Sequence, residues 1–295
     1  MPTLTPEQLA ALAAIDSPTV ANAIERFKVR RRVDGYADRD LRCGFPEYSS
    51  MLGYAVTCTA DSTTEGRPDG AGLIGLWAAL EAAPKPAVLV IKDVGPDPRK
   101  GCHMGEIMAT TAKALGAVGC VSDGGLRDVK EVAALGGFQY FCPGFVVSHG
   151  QPVILDVNVS VEIHGLPIKP GDLLHGDVNG LLVVPDAVAA DVAAACESVR
   201  VEERALLDLI TAPGFSVEKL RQWKLTHCRQ GRLSAAADFA AASRTAAMTC
   251  SRIASSPSRI LGMERLIAAM TTPSGPVMGA PKQQPSRTLS SASRE

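Results

Sequence analysis

The chain has 295 residues, of which 46% are apolar and 21% charged, and its 30 basic and 31 acidic side chains give a net charge of −1. This composition is that of a globular protein with room for one large domain or two small ones. The balanced charge removes the electrostatic case for nucleic acid or an anionic membrane as the main partner, and no apolar run approaches the roughly 20 residues that span a bilayer.

The first elements predicted along the chain are two helices. Thr5-Pro6-Glu7-Gln8 has the form of a capping box with proline at the first helical position. Ser17-Pro18 repeats a start signal, for a helix that runs to about Phe27.

Strands and helices then alternate in the first half of the chain, and the second half is rich in strands with glycine and proline turns. Strands are predicted at 53–59, 87–93, 118–122, 138–142, 153–157 and 180–185, and helices at 71–83, 105–116, 127–135 and 186–210. The mixture predicts a layered α/β or α+β fold.

The composition changes near residue 228. The segment 228–295 carries 9 basic against 3 acidic residues, and its end is rich in proline, serine and glycine. We therefore predict one domain over 1–227 and a poorly ordered Ala/Ser/Arg-rich tail over 228–295. A nucleic-acid-binding arm is the alternative for the tail, but its charges are diluted among serine and alanine.

The eight cysteines form no CxxC pair, and the start of the chain lacks the basic and apolar regions of a secretory signal. We expect reduced thiols in a cytoplasmic protein. The sequence also contains no HExxH, Walker or GxSxG motif, which excludes several large enzyme classes.

The candidate chemistry lies in the stretch from Gly101 to Asp128. Gly105-Glu106 opens a helix, where a ligand can approach the backbone and an anion can meet free N–H groups. The strand 118–122 is followed by a glycine turn that ends at Arg127-Asp128. An arginine can grip a carboxylate with two hydrogen bonds, and a neighbouring carboxylate can hold a hard divalent cation.

Each of these dipeptides has a plain structural interpretation as well. Gly-Glu is an ordinary helix start, and Arg-Asp is commonly a solvated pair or a cap. The combination is more specific, because Glu106 and Arg127-Asp128 are separated by a 20-residue gap that holds a strand and a glycine turn.

This pattern resembles the RraA-like proteins, which include the class II 4-hydroxy-4-methyl-2-oxoglutarate aldolases. Enzymatic members carry an acidic residue, a 20-residue spacer and then Arg-Asp. The resemblance spans about 17–222 and also includes the runs SPTVANAIE (17–25) and PGDLLHGDVNGLLVVP (170–185). The chain departs from many relatives in having Glu106 in place of Asp, and Asn22 in place of Asp.

The resemblance implies a β/β/α swivelling-domain fold, an αββαβ sandwich, assembled as a homotrimer or hexamer with active sites between subunits. It implies Mg²⁺ or Mn²⁺ bound by Asp128, with waters filling most of the coordination shell. The carboxylate of a pyruvyl group would meet Arg127 and the backbone N–H groups of Gly105, Glu106, Ile107 and Met108.

Two further glutamates complete the implied site. Glu106 would act on a water held by the ion, and so would a glutamate from the C-terminal helix of a neighbouring subunit. Glu203 is the preferred candidate for this second role, and Glu202 is the alternative.

The implied function is a metal-dependent carbon–carbon lyase that acts on a small 2-oxo acid. It would cleave a 4-hydroxy-2-oxo acid by a retro-aldol reaction to release pyruvate, with accompanying oxaloacetate decarboxylase activity. The alternative is a non-catalytic regulator that binds a ribonuclease, as some relatives do. A methyltransferase is the weakest option, because no glycine-rich S-adenosylmethionine loop stands directly after the first strand.

Other polar residues near the motif are predicted to be structural. His103 is more typical of a structural or exposed histidine than of a base, and Asp123 is expected to bond the backbone of its own turn. His175-Gly176-Asp177 is interpreted as a turn at a strand end.

Cys102 and Cys120 are interpreted as small core residues. A Schiff-base mechanism stays open for Lys92, Lys100 and Lys113, although nothing marks any of them as desolvated.

Overall fold

The computed structural model describes residues 3–226. The chain divides into two compact units, Met1–Pro213 and Gly214–Glu295. The first unit holds every element named below. In the second unit, residues 217–226 are helical, and the predicted tail over 228–295 lies outside the described residues.

The first two helices begin close to the predicted positions. In α1 (Pro6–Ala13), the Thr5 hydroxyl accepts from the N–H of Gln8 while the Gln8 side chain accepts from the N–H of Thr5, so the predicted capping box is confirmed. In α2 (Ser17–Phe27), the cap is Asp16, whose carboxylate accepts from the N–H of Thr19 at 2.9 Å. Ser17 is the first helical residue rather than the cap.

An eight-stranded mixed sheet forms the centre of the molecule. Its strands in chain order are β1 (Arg42–Cys43), β2 (Met51–Asp61), β3 (Ala87–Asp93), β4 (Ala117–Ser122), β5 (Gln139–Cys142), β6 (Val153–Val157), β9 (Leu173–Asp177) and β10 (Gly180–Val184). The order across the sheet is β1-β5-β4-β3-β2-β9-β10, with β6 paired to β2 beyond the end of β9. The four strands β2 to β5 are parallel, and the others pair antiparallel.

The two faces of the sheet are covered by different elements. Leu89 and Ile91 of β3 point into a core with α3 (Gly72–Ala82), α4 (Glu106–Ala114) and α5 (Val129–Ala134). The alternating residues Val88 and Val90 pack against a two-stranded ribbon. This ribbon is formed by β7 (Val161–Ile163) and β8 (Leu166–Ile168).

A third core joins α1, α2 and α6 (Ala189–Thr211) to the β9–β10 hairpin. Together the three cores give the layered α/β architecture that was predicted. Among residues 3–226, no helix combines the length and apolar character needed to cross a membrane.

The structure differs from the sequence prediction in the late strands. His175, Gly176 and Asp177 belong to β9, so their interpretation as a turn is wrong, and the turn falls at Val178-Asn179. Histidine, glycine and aspartate are common in turns, but here β9 is paired on both sides, by β2 and β10. The ribbon of β7 and β8 was also not predicted, because each of its strands has only three residues.

Candidate active site

A cleft of about 320 Å³ lies where the start of α4 meets the segment that follows β4. Its charged lining residues are Glu106, Arg127 and Asp128, and its apolar lining includes Leu73, Pro152 and Ile154. The connections after β3 and β4 meet here because these neighbouring strands are parallel and end at the same edge. Ligand sites of open α/β sheets form at this edge.

The start of α4 leaves backbone donors available. Gly105 is the residue before the first turn and supplies no side-chain cap. Asp128 accepts from the N–H of Glu106, whereas the N–H groups of Ile107 and Met108 donate to no described residue. Free N–H groups in the first turn of a helix are a favourable place for an anion.

Asp128 has an unusual backbone conformation that directs its side chain. Its φ of 57° and ψ of 44° lie in the left-handed region, although it is not glycine. The carboxylate does not cap its own helix, α5. Its Oδ2 accepts from the N–H of Glu106 at 2.9 Å, and its Oδ1 accepts no hydrogen bond from the described residues.

Gly105 makes this contact possible. A Cβ at this position would collide with Oδ2 of Asp128 and would lie 3.0 Å from Nε of Arg127. With any larger residue at position 105, either the side chain of Asp128 or the start of α4 would have to shift.

Arg127 is fixed by its backbone and leaves its side-chain donors free. Its N–H donates to the carbonyl of Met104 at 3.0 Å, and its carbonyl accepts from the Tyr140 hydroxyl at 3.4 Å. Its Nε lies 3.6 Å from Oδ2 of Asp128. Because the guanidinium donates no hydrogen bond to the described residues, it can bind a carboxylate in the cleft.

The oxygen donors of the cleft suit a hard cation better than a soft one. Asp128 offers a single half-exposed carboxylate, and residues 3–226 contain no cluster of three histidine, cysteine or acidic side chains that could hold a metal. Zinc sites need three or four protein ligands, whereas Mg²⁺ often keeps several waters on one or two carboxylates. The residues present fit Mg²⁺ or Mn²⁺.

Three carboxylates lie at the carboxyl ends of three neighbouring parallel strands; Asp61 and Asp93 are buried, and Asp123 is partly buried. Each has a basic partner. The pairs are Asp61 with Arg67 at 2.7 Å, Asp93 with His103 at 2.6 Å, and Asp123 with Lys92.

In the Asp61–Arg67 pair, the hydrogen bonds together change the pKa of Asp61 more than burial does. Burial raises the pKa of Asp61, but hydrogen bonds from Thr63, Thr64 and Arg67 outweigh burial and bring the pKa down to about 2. The carboxylate is therefore held in its charged form.

The predicted substrate and metal residues lie together, and the predicted glutamate of α6 lies elsewhere. Residues 105–108, Arg127 and Asp128 all line the cleft, but Glu203 does not line the cleft of its own chain. Glu203 accepts one hydrogen bond, from the Asn22 side chain at 3.2 Å. Glu202 is held by two hydrogen bonds from Arg26, so Glu203 is the less constrained of the two glutamates.

Asp123 and His103, which were predicted to be structural, make specific hydrogen bonds. Asp123 does not bond its own turn: it accepts from the N–H of Asp93 at 2.7 Å and from Lys92, and Ser122 bonds the turn instead. His103 lines the cleft, but its side chain is buried, with the ring bonded to Asp93.

Of the thiols near the motif, Cys102 lines the cleft and Cys120 does not. Burial raises the pKa of both Cys102 and Cys120, which favours their uncharged forms. Lys92, Lys100 and Lys113 do not line the cleft.

Sequence reasoning missed several residues of the site. Asp93 ends a buried strand next to the one that precedes Arg127, and the rule that ligand sites form at strand carboxyl ends could have found it. Leu73 and Ile154 come from distant segments, and only the order of the strands brings them to the cleft.

Comparison with known proteins places this architecture in a family. The model of the RraA-like family, described as Aldolase/RraA, matches residues 17–183. A protein of Halalkalibacterium halodurans named "Putative 4-hydroxy-4-methyl-2-oxoglutarate aldolase" is 31% identical over 159 residues, which are 51% of this chain and 72% of that protein.

Solved structures agree on the fold. An uncharacterised protein from Pseudomonas syringae pv. tomato superposes with a TM-score of 0.57 at 23% identity, over 75% of this chain and all of that one. Streptomyces coelicolor RraAS2, described as an unusual member of the RNase ES inhibitor RraA protein family, superposes with a TM-score of 0.51 at 25% identity, over 70% of this chain and 98% of its own. The sequence match and the shared fold show that the chain belongs to the RraA-like family.

Proposed function

We propose that this protein is a divalent-metal-dependent lyase that cleaves a 4-hydroxy-2-oxo acid and releases pyruvate. One observation carries the proposal: Asp128, the free guanidinium of Arg127 and the open first turn of α4 face a single cleft. The name of the Halalkalibacterium relative supports the same reaction class.

The chain offers a place for the metal and for the substrate carboxylate. Asp128 would hold Mg²⁺ or Mn²⁺ through its carboxylate. When bound, such an ion supplies Lewis-acid stabilisation of the negative charge that develops on the 2-oxo oxygen, commonly worth several kcal/mol.

Arg127 and α4 orient the substrate. The guanidinium would bind the carboxylate of the pyruvyl half with two hydrogen bonds, and the N–H groups of Ile107 and Met108 would add donors on the same charge. This fixes the C3–C4 bond relative to Asp128, and such positioning is a major source of rate enhancement.

Cleavage needs one proton removed and one returned. The 4-hydroxyl loses its proton as C4 becomes a carbonyl, the electron pair of the C3–C4 bond passes to the pyruvyl half, and C3 is then protonated. Glu106 is exposed and lines the cleft, so its carboxylate can hold a proton there. Decarboxylation of oxaloacetate leaves the same enolate of pyruvate, and we propose it as a second activity.

The proposed site includes a neighbouring copy of the chain. Glu203 would reach the cleft of the next subunit in a homotrimer or hexamer. Its single hydrogen bond to Asn22 leaves its second carboxylate oxygen available for this role.

Pyruvate release tests the proposal. The purified chain is expected to release pyruvate from 4-hydroxy-4-methyl-2-oxoglutarate and from oxaloacetate, to lose activity in excess EDTA and to recover it with Mg²⁺ or Mn²⁺. Asp128→Asn should be inactive at ordinary metal concentrations and partly rescued by high Mn²⁺, because an amide oxygen is a weaker ligand. Full activity in EDTA, or borohydride trapping of a lysine adduct, would contradict a metal-dependent mechanism.

The likeness to RraAS2 favours one other function, a regulator that binds a ribonuclease. The two functions give different results in the same preparation. Inhibition of a purified ribonuclease E by a chain that releases no pyruvate would favour the regulator.

A further inference from the structure

His103 and Asp93 form a fully buried pair beneath the cleft. Nε2 of His103 lies 2.6 Å from Oδ2 of Asp93, and neither side chain has exposed surface. The other oxygen of Asp93 accepts from the N–H of Gly95 at 2.7 Å. An ionised carboxylate can only accept, so Nε2 carries the hydrogen of the histidine bond.

The second ring nitrogen of His103 has no partner. Nδ1 is buried and makes no hydrogen bond with the described residues. An unpaired polar atom in a protein interior is destabilising and calls for an explanation. His103 lines the cleft, but its ring has no exposed surface, so Nδ1 does not contact a ligand there and is not a base for the reaction.

The backbone around His103 connects the start of α4 with the segment that holds Arg127. Gly101 accepts from the N–H of Gly125 at 2.7 Å, and Met104 accepts from the N–H of Arg127 at 3.0 Å. Segment 101–105 therefore runs beside segment 125–127 and sets the position of Arg127. Segment 101–105 also leads directly into the first turn of α4.

The ring of His103 fits tightly between the strand end and the glycine turn. A Cβ on Gly124 would lie 3.1 Å from Cδ2 of the ring. A Cβ on Gly101 would collide with Oδ2 of Asp93, so the chain passes directly over this carboxylate. The bond from Asp93 to His103 thus ties the end of β3 to segment 101–105.

We propose that His103 and Asp93 are positioning residues of the active site. Their hydrogen bond holds segment 101–105 where the donors of α4, the guanidinium of Arg127 and the carboxylate of Asp128 meet in the cleft. This inference rests on the proposed function for its effect on catalysis, but not for its effect on the structure of the free protein.

Two substitutions of His103 by residues with amide side chains test the roles of its two ring nitrogens separately. In His103→Gln, the amide nitrogen takes the place of Nε2 and keeps a donor for Asp93. In His103→Asn, the amide nitrogen takes the place of Nδ1 and cannot reach Asp93. Asp93→Ser removes the acceptor from the other side of the bond and is expected to behave as His103→Asn does, so the test does not depend on one variant folding.

His175 provides the matched control. It is as completely buried as His103, but it lies in the core of α1, α2 and α6, and both of its nitrogens are bonded. His175→Asn therefore measures what the same substitution does to a buried histidine away from the cleft.

The first measurement is hydrogen exchange of the free protein, followed by mass spectrometry. We expect His103→Asn to exchange faster over 101–108 and 124–128, and His103→Gln and His175→Asn to match the parent there. Unchanged exchange in His103→Asn, or equal acceleration in His103→Gln, would overturn the inference whether or not the protein is a lyase.

The second measurement is pyruvate release by the folded variants. His103→Asn should lose about 100-fold in kcat/KM, the size of effect that a misplacement of about 1 Å can cause. His103→Gln and His175→Asn should stay close to the parent. A loss in His103→Gln alone would assign the role to Nδ1, and an equal loss in His175→Asn would show general destabilisation; either result contradicts the inference. If the parent itself releases no pyruvate, the proposed function fails while hydrogen exchange still decides the positioning role.

Discussion

The first turns of α2 and α4 differ in how many of their backbone N–H groups have a hydrogen-bond partner. At α2, the N–H of Ser17 donates to Asp177 at 2.8 Å and the N–H of Thr19 donates to Asp16 at 2.9 Å. At α4, the residue before the helix is glycine, and only the N–H of Glu106 finds a partner among the described residues. The first arrangement stabilises a helix, and the second leaves donors for a ligand.

The buried histidines beside these two helices differ in the same way. His175 accepts from the Ser17 hydroxyl at 3.0 Å and donates to the carbonyl of Leu12 at 3.3 Å, whereas His103 has one free nitrogen. The pairing of these polar groups distinguishes the start of α4 from the start of α2 more clearly than hydrophobic burial does, because both helix starts are well packed.

The start of α4 should be the more sensitive of the two to a small added group. Gly105→Ala is expected to lower kcat/KM for pyruvate release by about 100-fold, because the new methyl group collides with Asp128 and displaces it from the start of α4. The measurement is steady-state kinetics with a folding check by circular dichroism. Gly144→Ala is the control, since a Cβ there meets open space. A Gly105→Ala enzyme as active as the parent would show that close approach to Asp128 is not required.

Arg127→Lys should have the next largest effect at the cleft. Lysine keeps the charge but loses the planar pair of donors, so we expect a raised KM together with a lower kcat. The loss of one charge-assisted hydrogen bond, about 1.5 kcal/mol or more, corresponds to at least about tenfold in kcat/KM. The control is Arg31→Lys, which alters an exposed arginine that binds Asp34 with two hydrogen bonds. Equal kinetics for the two variants would remove Arg127 from the substrate site.

At the start of α2, a change in pH should alter the stability of the fold rather than the activity. Burial lowers the pKa of His175 below its ordinary value of 6.5, although nearby hydrogen bonds and acidic groups act in the other direction. The unfolded chain then binds a proton more readily than the folded chain, so the free energy of unfolding should fall as the pH drops below about 6.5. Above that pH this histidine adds no pH dependence.

Urea unfolding at pH 7.5 and 5.5 measures this small effect. His175→Gln should show a weaker decrease in the unfolding free energy over that interval than the parent. An identical decrease in both proteins would mean that another group is responsible.

The sequence predicts the local part of this structure well. The capping box of α1 and the strand β3 depend on adjacent residues, and both are confirmed. Glu106, Arg127 and Asp128 line one cleft, and their proximity could be predicted because one strand and one turn separate them. The β9 strand was missed because its stability comes from two neighbouring strands rather than from its own residues.

The carboxylate pairs at the ends of β3 and β4 could not be predicted in the same way. Asp123 has the sequence context of an ordinary turn residue, but it bonds the end of β3 across the sheet. The partner of His103 is ten residues away along a loop without regular structure. Such contacts follow from strand order, which the pattern of apolar residues does not encode.

The left-handed backbone of Asp128 also constrains how this site can evolve. Asparagine and glycine accept the same backbone with little strain, whereas β-branched residues do not. Substitution of Asp128 by either residue is therefore expected to preserve the fold while removing the carboxylate that we propose as the metal ligand. A single codon change would thus give an intact scaffold without the proposed metal ligand, which would make recruitment of the same fold to a binding role an accessible evolutionary step.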